Sequence, residues 1–427
     1  MQRKLARQAA IVFSLKVAGA AVALALHWVI ARMYGPAGTG AFFFALTTAS
    51  LMALVARLGT ENQIVRTAAP AIAHSDFHLL SDLRRATNRL ILFSATALMI
   101  VFLSVVALAN AEVLRLGLGE NTAAMGIVLA FPAIAVTLTH AEFLRADGRL
   151  VWYQIISGLL TPFLASLLLA VAFLVHPIPV SYAALVYVAA AFVTTAIALW
   201  LVRRRITLLP PKGLLTPLKL AGSSRDLFLI GLTAALTDWI MMLLLARYTA
   251  PEAVGIYSTA ARVAIAVSLV LASVNVAAAP KFAVLSAGGH REDLQASARH
   301  ARNLLVLSGL PVVIILAISA DWIMGLFGQG FEDGAAVLRV LLLGHTVSLA
   351  MGSVGNLLLM SGNERPLLWI AISCTSGMII AGILILPENG ALGAAAVAGA
   401  TLAARNLLAA LVVWQRLGIN MFLPTIR

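Results

Sequence analysis

Long apolar stretches follow one another along the chain, separated by short segments that carry most of the charged residues. A helix that crosses a bilayer needs about 20 mostly apolar residues, and these stretches have that length. Their apolar residues run continuously, without the alternation that a spanning β-strand shows. The pattern predicts twelve transmembrane helices, at residues 9–31, 38–57, 88–110, 122–142, 152–175, 180–202, 226–247, 254–279, 303–325, 335–360, 366–386 and 390–415.

Two segments between the predicted spans have charged residues on one side and apolar residues on the other. They are residues 75–89 and 289–302, and in the first of them Phe77, Leu80 and Leu83 recur at helical spacing. An amphipathic helix of this kind lies in the membrane interface with its apolar face buried. We therefore expect two separate surface helices on the cytoplasmic side.

The composition indicates a membrane protein and excludes a soluble one. Of the 427 residues, 61% are hydrophobic and 11% are charged, whereas a soluble domain carries about 25% charged residues. A net charge of +13 would suggest nucleic-acid binding in a soluble protein, but here the charges lie in short loops between spans. The single cysteine, Cys374, excludes an intrachain disulfide and a thiolate metal cluster.

The distribution of lysine and arginine predicts the orientation in the membrane. With a cytoplasmic N-terminus, 23 of the 30 Lys and Arg residues lie in cytoplasmic segments and four lie in outer ones. Cytoplasmic loops carry such an excess of positive charge. Both termini are then expected on the cytoplasmic side of a bacterial inner membrane. One inner loop is expected to hold a solvated cluster of Glu142, Arg145, Asp147 and Arg149.

A twelve-residue phrase occurs twice, about half the chain apart. Residues 31–42 read ARMYGPAGTGAF, and residues 246–257 read ARYTAPEAVGIY. Each phrase joins two predicted spans, so the duplication indicates a transporter built from two homologous halves. The matching positions, all separated by 215 residues, are Ala31 and Ala246, Arg32 and Arg247, Pro36 and Pro251, Gly40 and Gly255, and Phe42 and Tyr257.

The repeat also predicts the domain organisation. We expect an N-terminal six-helix bundle at residues 1–202, a basic cytoplasmic linker at 203–225 and a C-terminal six-helix bundle at 226–427. Six spans in each half give both halves the same orientation, as in parallel repeats. The predicted fold is an all-α integral membrane protein, with twelve transmembrane helices in two homologous six-helix halves around a central cavity.

The phrases around the repeat resemble the polysaccharide transporter family. This family comprises the lipid-linked oligosaccharide and O-antigen flippases of the multidrug/oligosaccharidyl-lipid/polysaccharide exporter superfamily. The resemblance rests on residues 31–42 and 56–66 in the first half, and on residues 237–242 and 254–262 in the second. It implies a flippase for a polyprenyl-diphosphate-linked oligosaccharide, and it covers essentially the whole chain.

Four charged residues stand out because they lie well inside predicted spans, where a charge costs about 2.5–3.5 kcal/mol and usually faces a cavity or a partner. They are Lys16, Asp238, Arg262 and Arg405. Asp238 and Arg262 flank one outer turn, and a rise of about 1.5 Å per residue places them roughly 15 Å and 12 Å from it. They form either a structural ion pair or a switchable pair, in which Arg262 binds a cargo phosphate or Asp238 takes a proton or cation.

The other candidate residues each have two interpretations. Lys16 either extends to the cytoplasmic interface or receives an anionic head group, and for Arg405 we favour interfacial extension or helix packing. Arg32 and Arg247 end equivalent spans, where they anchor the interface or form a phosphate-release site. Pro36, Gly40, Pro251 and Gly255 are expected to shape the turns and let the helices of each hairpin approach closely.

These residues favour transport of an anionic lipid over two other functions. A cation-coupled multidrug antiporter needs an acidic core, whereas the four charged residues in the interior of the spans are three basic residues and one acidic residue. A membrane glycosyltransferase needs catalytic acids and a substantial outer domain. Without a phosphate-binding loop the chain cannot hydrolyse ATP, and no cofactor or metal is expected. The expected partners are the lipid-linked oligosaccharide, membrane lipids and polysaccharide polymerase machinery, around a monomeric transporter that serves O-antigen, exopolysaccharide or another surface polymer.

Overall fold

The protein is helical throughout the part of the chain that the computed structural model describes, residues 2–110, 119–175, 179–205 and 225–421. Contacts between residues divide the chain into two compact units. Unit 1 comprises Met1–Tyr34 and Ala41–Phe228, and unit 2 comprises Gly35–Gly40 and Leu229–Arg427. The boundaries predicted from the repeat stay a prediction. Most of the predicted linker, residues 206–224, lies outside the described residues.

The helices up to Arg205 lie mainly in unit 1, and α1 contributes its segment Gly35–Gly40 to unit 2. A 3₁₀ helix at Gly119–Ala130 precedes α4, and a π-helical turn at Ile155–Leu159 joins α5 to α6. The α-helices are α1 (Gln2–Arg57), α2 (Thr60–Ala73), α3 (Phe77–Asn110), α4 (Phe131–Ala146), α5 (Leu150–Gln154), α6 (Leu160–Val175) and α7 (Val180–Arg205).

The remaining helices lie mainly in unit 2. They are α8 (Arg225–Tyr248), α9 (Pro251–Ala287), α10 (Arg291–Ile318), α11 (Ala320–Gly325), α12 (Gly334–Met351), α13 (Val354–Met360) and α14 (Glu364–Leu417). In the part of the chain that the structure describes, ten helices are long and apolar enough to cross a membrane. The chain is therefore a multi-pass membrane protein, and the count of twelve spans stays a prediction.

Two pairs of predicted spans each fall within one long helix that is interrupted at a glycine. The spans 9–31 and 38–57 lie on either side of Gly35 in α1, where φ is 63° and ψ is −169°. The spans 366–386 and 390–415 meet at Gly390 in α14, where φ is 51° and ψ is −134°. Glycine adopts such positive φ values without steric cost, so neither helix is regular along its whole length.

The two amphipathic segments are helical as predicted, but neither is a helix of its own. Most of residues 75–89 forms the first part of α3, and most of residues 289–302 forms the first part of α10. Their apolar faces are nonetheless buried as the pattern predicts: Leu80 and Leu83 belong to the core of unit 1, and Leu294 to the core of unit 2. The two segments are thus packed ends of long helices rather than separate elements on a membrane surface.

Helix α2, which the hydrophobic pattern did not predict as a separate element, completes the core of unit 1. Its residues Ile64 and Ala68 are fully buried against α3 and α4. The chain turns from α1 into α2 through Leu58 and Gly59, both at positive φ. A side chain on Gly59 would come within 2.7 Å of Phe228. This turn therefore positions the charged residues that follow α1.

Candidate functional site

Asp238 lies in the middle of α8, and its side chain is exposed. The neighbouring Thr237 fixes this stretch of α8 against α14, because the hydroxyl oxygens of Thr237 and Thr375 are 2.7 Å apart. About two turns after Thr237, Leu244 packs against Gly382 of α14. These two contacts hold the carboxylate of Asp238 at a defined place beside α14.

Two arginines act electrostatically on the Asp238 carboxylate. The stronger interaction comes from Arg405 of α14 and the second from Arg262 of α9. Both arginines are half-buried. We call Asp238, Arg262 and Arg405 the acid–arginine cluster. Its three members come from three different helices of unit 2. Its formal charge is positive, because it contains two guanidinium groups and one carboxylate.

A buried tyrosine lies against the acid–arginine cluster. Tyr257 of α9 interacts electrostatically with Asp238, and its side chain is almost fully buried. Tyr257 occupies the repeat position equivalent to Phe42, which is also buried. The ring is therefore buried within its own unit, and the Tyr257 hydroxyl is a group that can donate a hydrogen bond to an anion.

Arg405 acts on Asp238 in addition to Arg262, the partner that the sequence suggested. Sequence reasoning gave Arg405 a packing or interfacial role, whereas the structure places it among the charges around Asp238. The signal that pointed to it was its position inside an apolar span. The depth of Arg405 in its span could not identify Asp238 as its partner. The two residues are far apart in the sequence, and the sequence does not show which faces of α8 and α14 meet.

The remaining predicted site residues lie elsewhere. Lys16 and Arg32 are exposed residues of α1 in unit 1, and the Arg32 guanidinium lies 5.7 Å from the centre of the Trp28 ring. Arg247 is exposed at the end of α8, nine residues from Asp238, with its guanidinium 5.6 Å from the centre of the Tyr248 ring. Arginine stacked on an aromatic ring at a span end is typical of an interfacial anchor.

Unit 1 contains a buried ionic network that the sequence pattern did not reveal. Glu142 lies 3.0 Å from Arg145 and 3.9 Å from Arg57, and Arg57 lies 3.2 Å from Glu61. Glu142 and Arg57 are 5% and 7% exposed, so the prediction of a solvated loop cluster is wrong for Glu142. In the separate pair formed by Arg149 and Asp147, both side chains are partly exposed.

The reason for this burial lies in the turn after α1. Positive φ at Leu58 and Gly59 directs the chain into α2, which brings the carboxylate of Glu61 back to Arg57 and both of them to the end of α4. The four charges cancel, so the network can be buried without a net charge. Two of the four residues, Arg57 and Glu61, lie in the segment 56–66 on which the family resemblance rests. Nothing in that segment identified Glu142 as their partner.

Neither a metal centre nor a cofactor cradle emerges from the described side chains. No group of three or more His, Cys, Asp or Glu residues in that part of the chain could hold a metal ion. The acid–arginine cluster offers groups that bind charged ligands: two guanidinium forks suit a phosphate or carboxylate, and one carboxylate suits a cation or proton.

Solved structures of transporters share this fold. The chain is 17% identical to a multidrug resistance MATE family transporter of the MOP superfamily in an inward-facing conformation, with a TM-score of 0.78 over 96% of this chain and 98% of that one. It is 13% identical to the lipid II flippase MurJ in an inward closed conformation, with a TM-score of 0.71 over 94% and 87% of the two chains. At these identities the likeness shows the fold alone.

A third similar structure is a MOP superfamily transporter from Pyrococcus furiosus. It is described as having a binding pocket of reversed polarity that suggests a different function, and it is 15% identical, with a TM-score of 0.65 over 96% and 95% of the two chains. No curated protein matched the sequence. A family model described as "Polysaccharide biosynthesis protein" matches residues 5–286. Because that match covers more than half of the chain, the protein belongs to this polysaccharide biosynthesis family of membrane transporters.

Proposed function

We propose that the protein is a flippase that moves a polyprenyl-diphosphate-linked oligosaccharide from the cytoplasmic to the outer leaflet for the synthesis of a cell-surface polysaccharide. The observation that carries this proposal is the acid–arginine cluster, in which Arg262 and Arg405 face the single acid Asp238. The cluster lies on apolar helices of a membrane protein. A site with excess positive charge at that depth suits an anionic cargo.

The diphosphate group explains why two arginines are present. An anion that enters a low-dielectric region needs compensating charges, because an uncompensated charge costs several kcal/mol. Arginine binds phosphate through two parallel hydrogen bonds, and it stays protonated in a protein. Arg262 and Arg405 together can therefore hold a diphosphate while its lipid tail stays in the bilayer.

Asp238 acts as the internal counter-ion in this proposal. In the empty transporter its carboxylate balances one of the two arginines, so the site is not left with two uncompensated cations. Cargo phosphate replaces the carboxylate as their partner, and the return of Asp238 to the arginines promotes release. The arginines therefore have different partners in the empty and the loaded transporter. Such a difference in contacts is what allows a ligand to shift a conformational equilibrium.

The other basic residues are assigned to the ends of the pathway. Lys16, exposed on α1, receives the diphosphate from the cytoplasmic leaflet. Arg32 and Arg247, also exposed, are proposed to contact the phosphate during release at the outer side, in addition to anchoring the interface. The transporter works as a monomer by alternating access, and it delivers its cargo to a polymerase without catalysing a reaction itself.

The membrane potential can supply the driving force. An inside-negative potential of 100 mV favours outward movement of each negative charge by about 2.3 kcal/mol. The 23-to-4 distribution of Lys and Arg supports cytoplasmic termini in a bacterial inner membrane. In that orientation the potential acts on a bare diphosphate in the direction that biosynthesis requires.

A second candidate is a cation-coupled multidrug antiporter. The specific observation in its favour is the fold shared with a multidrug resistance MATE family transporter. The charges argue against it, because an organic cation would meet two arginines for each acid in the cluster. The membership of a polysaccharide biosynthesis family and the fold shared with a lipid II flippase also support the first proposal.

Cargo selectivity in proteoliposomes distinguishes the two candidates. Purified wild-type protein is reconstituted with a fluorescent polyprenyl-diphosphate oligosaccharide, with the same glycan on an uncharged polyprenol ether, or with a fluorescent organic cation under a proton gradient. We expect rapid flipping of the diphosphate lipid and neither flipping of the ether nor uptake of the cation. Proton-driven uptake of the cation without flipping of the diphosphate lipid would establish the antiporter instead.

A further inference from the structure

Unit 1 contains a pocket of about 220 Å³ that is separate from the acid–arginine cluster. It is bounded by α1, α4, the π-helical turn with α6, and α7. Hydroxyl groups line it, and none of the described residues that line it is charged. The hydroxyl-bearing residues are Ser50, Thr137, Ser157, Thr161 and Tyr187.

The hydrogen-bond pattern makes this pocket rich in acceptors. Ser50 donates its hydroxyl hydrogen to the Leu46 carbonyl at 2.8 Å, and Thr161 donates to the Thr194 hydroxyl at 3.0 Å. A hydroxyl group has one hydrogen and two lone pairs. Because these hydrogens are engaged with the protein, the oxygens of Ser50 and Thr161 offer lone pairs to an occupant.

Thr137 follows the same pattern. Its hydroxyl lies 2.8 Å from that of Thr195, which in turn donates to the Ala191 carbonyl at 2.8 Å. When the single hydrogen of Thr195 is used in that bond, Thr137 donates within the pair and its own lone pairs stay available. The pocket therefore suits an occupant that donates hydrogen bonds.

The π-helical turn shapes one wall. Ile156, Ser157 and Gly158 line the pocket from this turn, where the amide of Leu160 donates to the Ile155 carbonyl one residue further back than in an α-helix. Single π-turns inside α-helices are frequent at functional sites. The turn is also tightly packed, since a side chain on Gly19 of α1 would lie 3.2 Å from the Gly158 carbonyl oxygen.

The walls between the hydroxyls are apolar. Ile134, Leu138 and Pro162 supply them, and the ring of Tyr187 lies among them. Binding sites for small molecules combine such walls with a few polar groups, but those for drug-sized ligands measure about 300–1,000 Å³. A volume of about 220 Å³ corresponds to the space of roughly seven water molecules, which suits a single ring.

We infer that this pocket binds one uncharged sugar ring of the cargo, with the sugar hydroxyls donating to Ser50, Thr137 and Thr161. The inference rests on the proposed function and adds the glycan contact to it. A sugar ring supplies both parts that the pocket needs, hydroxyl donors for the oxygens and a C–H face for the apolar walls. A metal cation is disfavoured because no described carboxylate lines the pocket.

Two variants test this inference. Thr161→Val removes an acceptor with little change of shape, and Ala191→Leu adds volume at the pocket wall. Thr346→Val is the matched control, because the Thr346 hydroxyl donates to the Leu342 carbonyl at 2.8 Å in unit 2. Each protein is assayed in proteoliposomes with polyprenyl diphosphate that carries one N-acetylglucosamine and with the same lipid that carries no sugar.

We expect the half-saturation concentration of the sugar-bearing lipid to rise about 3- to 10-fold in Thr161→Val, as the loss of one hydrogen bond predicts, and to rise in Ala191→Leu because the larger side chain occupies space that the sugar needs. The sugar-free lipid and the control variant should be unaffected. An equal effect on both lipids, or no effect on either, would overturn the inference, since the pocket would then serve folding or turnover alone.

A measurement of sugar binding that does not depend on flipping tests the pocket independently of the proposed function. Thermal unfolding of detergent-solubilised protein is measured with the methyl glycoside of N-acetylglucosamine, with sodium chloride and with choline chloride. Wild type should be stabilised by the glycoside, and Thr161→Val should lose that stabilisation even if wild type flips neither lipid. No stabilisation by the glycoside, or stabilisation by sodium that Thr161→Val abolishes, would contradict a sugar site.

Discussion

Gly40 and Gly255, the equivalent glycines of the duplicated phrase, contact each other within unit 2. A methyl group on Gly40 would lie 2.8 Å from the backbone nitrogen of Gly255, and one on Gly255 would overlap the Pro36 carbonyl oxygen. The sequence suggested that each glycine serves its own hairpin. The structure instead pairs the two copies of the phrase, which explains why Gly35–Gly40 belongs to unit 2.

Substitution of either glycine should destabilise the protein. Gly40→Ala and Gly255→Ala place a methyl group against backbone atoms that cannot move aside, and overpacking of this kind costs about 1–3 kcal/mol. We expect both variants to unfold at a lower temperature than wild type in detergent. Gly231→Ala in α8 is the control, because its methyl group would meet open space. Equal unfolding temperatures for all three variants would contradict the contact.

The hydrophobic pattern predicted an all-α membrane protein correctly, because long apolar helices depend on local composition. It could not show that 75–89 continues into α3, since an amphipathic helix end has the same pattern whether it lies on a membrane or packs against α2. The contribution of Arg405 to the cluster and the burial of Glu142 both depend on residues distant in the sequence. The π-helical turn at Ile155–Leu159 has no signature in an apolar segment.

The ionic network around Glu142 should contribute strongly to stability. Glu142→Gln removes the charge that compensates Arg57 and Arg145, and breaking a buried pair costs about 3–5 kcal/mol. We expect a clear fall in the unfolding temperature, measured by the loss of helical circular dichroism. Asp147→Asn breaks the partly exposed pair with Arg149 and should cost less than about 1 kcal/mol. Similar losses in both variants would refute the distinction.

Asp238→Asn should separate cargo binding from cargo release. The asparagine in this variant no longer competes with the diphosphate as an anionic partner of Arg262 and Arg405, so we expect a lower half-saturation concentration and a slower maximal rate of flipping. Concentration series in proteoliposomes give both quantities. Asp321→Asn, in an exposed ion pair with Arg339, should change neither. A raised half-saturation concentration in Asp238→Asn would show that the carboxylate does not compete with the cargo.

Lys16 should assist loading through its charge. Lys16→Met is expected to raise the half-saturation concentration about 3- to 10-fold, because a hydrogen bond at an exposed residue contributes no more than a typical one of about 0.5–1.5 kcal/mol, whereas Lys16→Arg should stay near wild type. The assay uses vesicles in which the lipid is added only to the cytoplasmic face of the protein. If Lys16→Met retains wild-type loading, the residue serves the membrane interface alone.

The central claim, that two arginines of the acid–arginine cluster carry an anionic lipid, is tested most directly by the initial rate of flipping of the fluorescent polyprenyl-diphosphate oligosaccharide in Arg262→Ala and Arg405→Ala. Arg339→Ala, which removes an equal charge from an exposed pair, is the control. We predict that each cluster variant loses more than about tenfold in rate, since hydrogen bonds to a charged group contribute about 1.5–3 kcal/mol, and that the control keeps the wild-type rate. Wild-type rates in both cluster variants, with the proteins folded, would contradict the account.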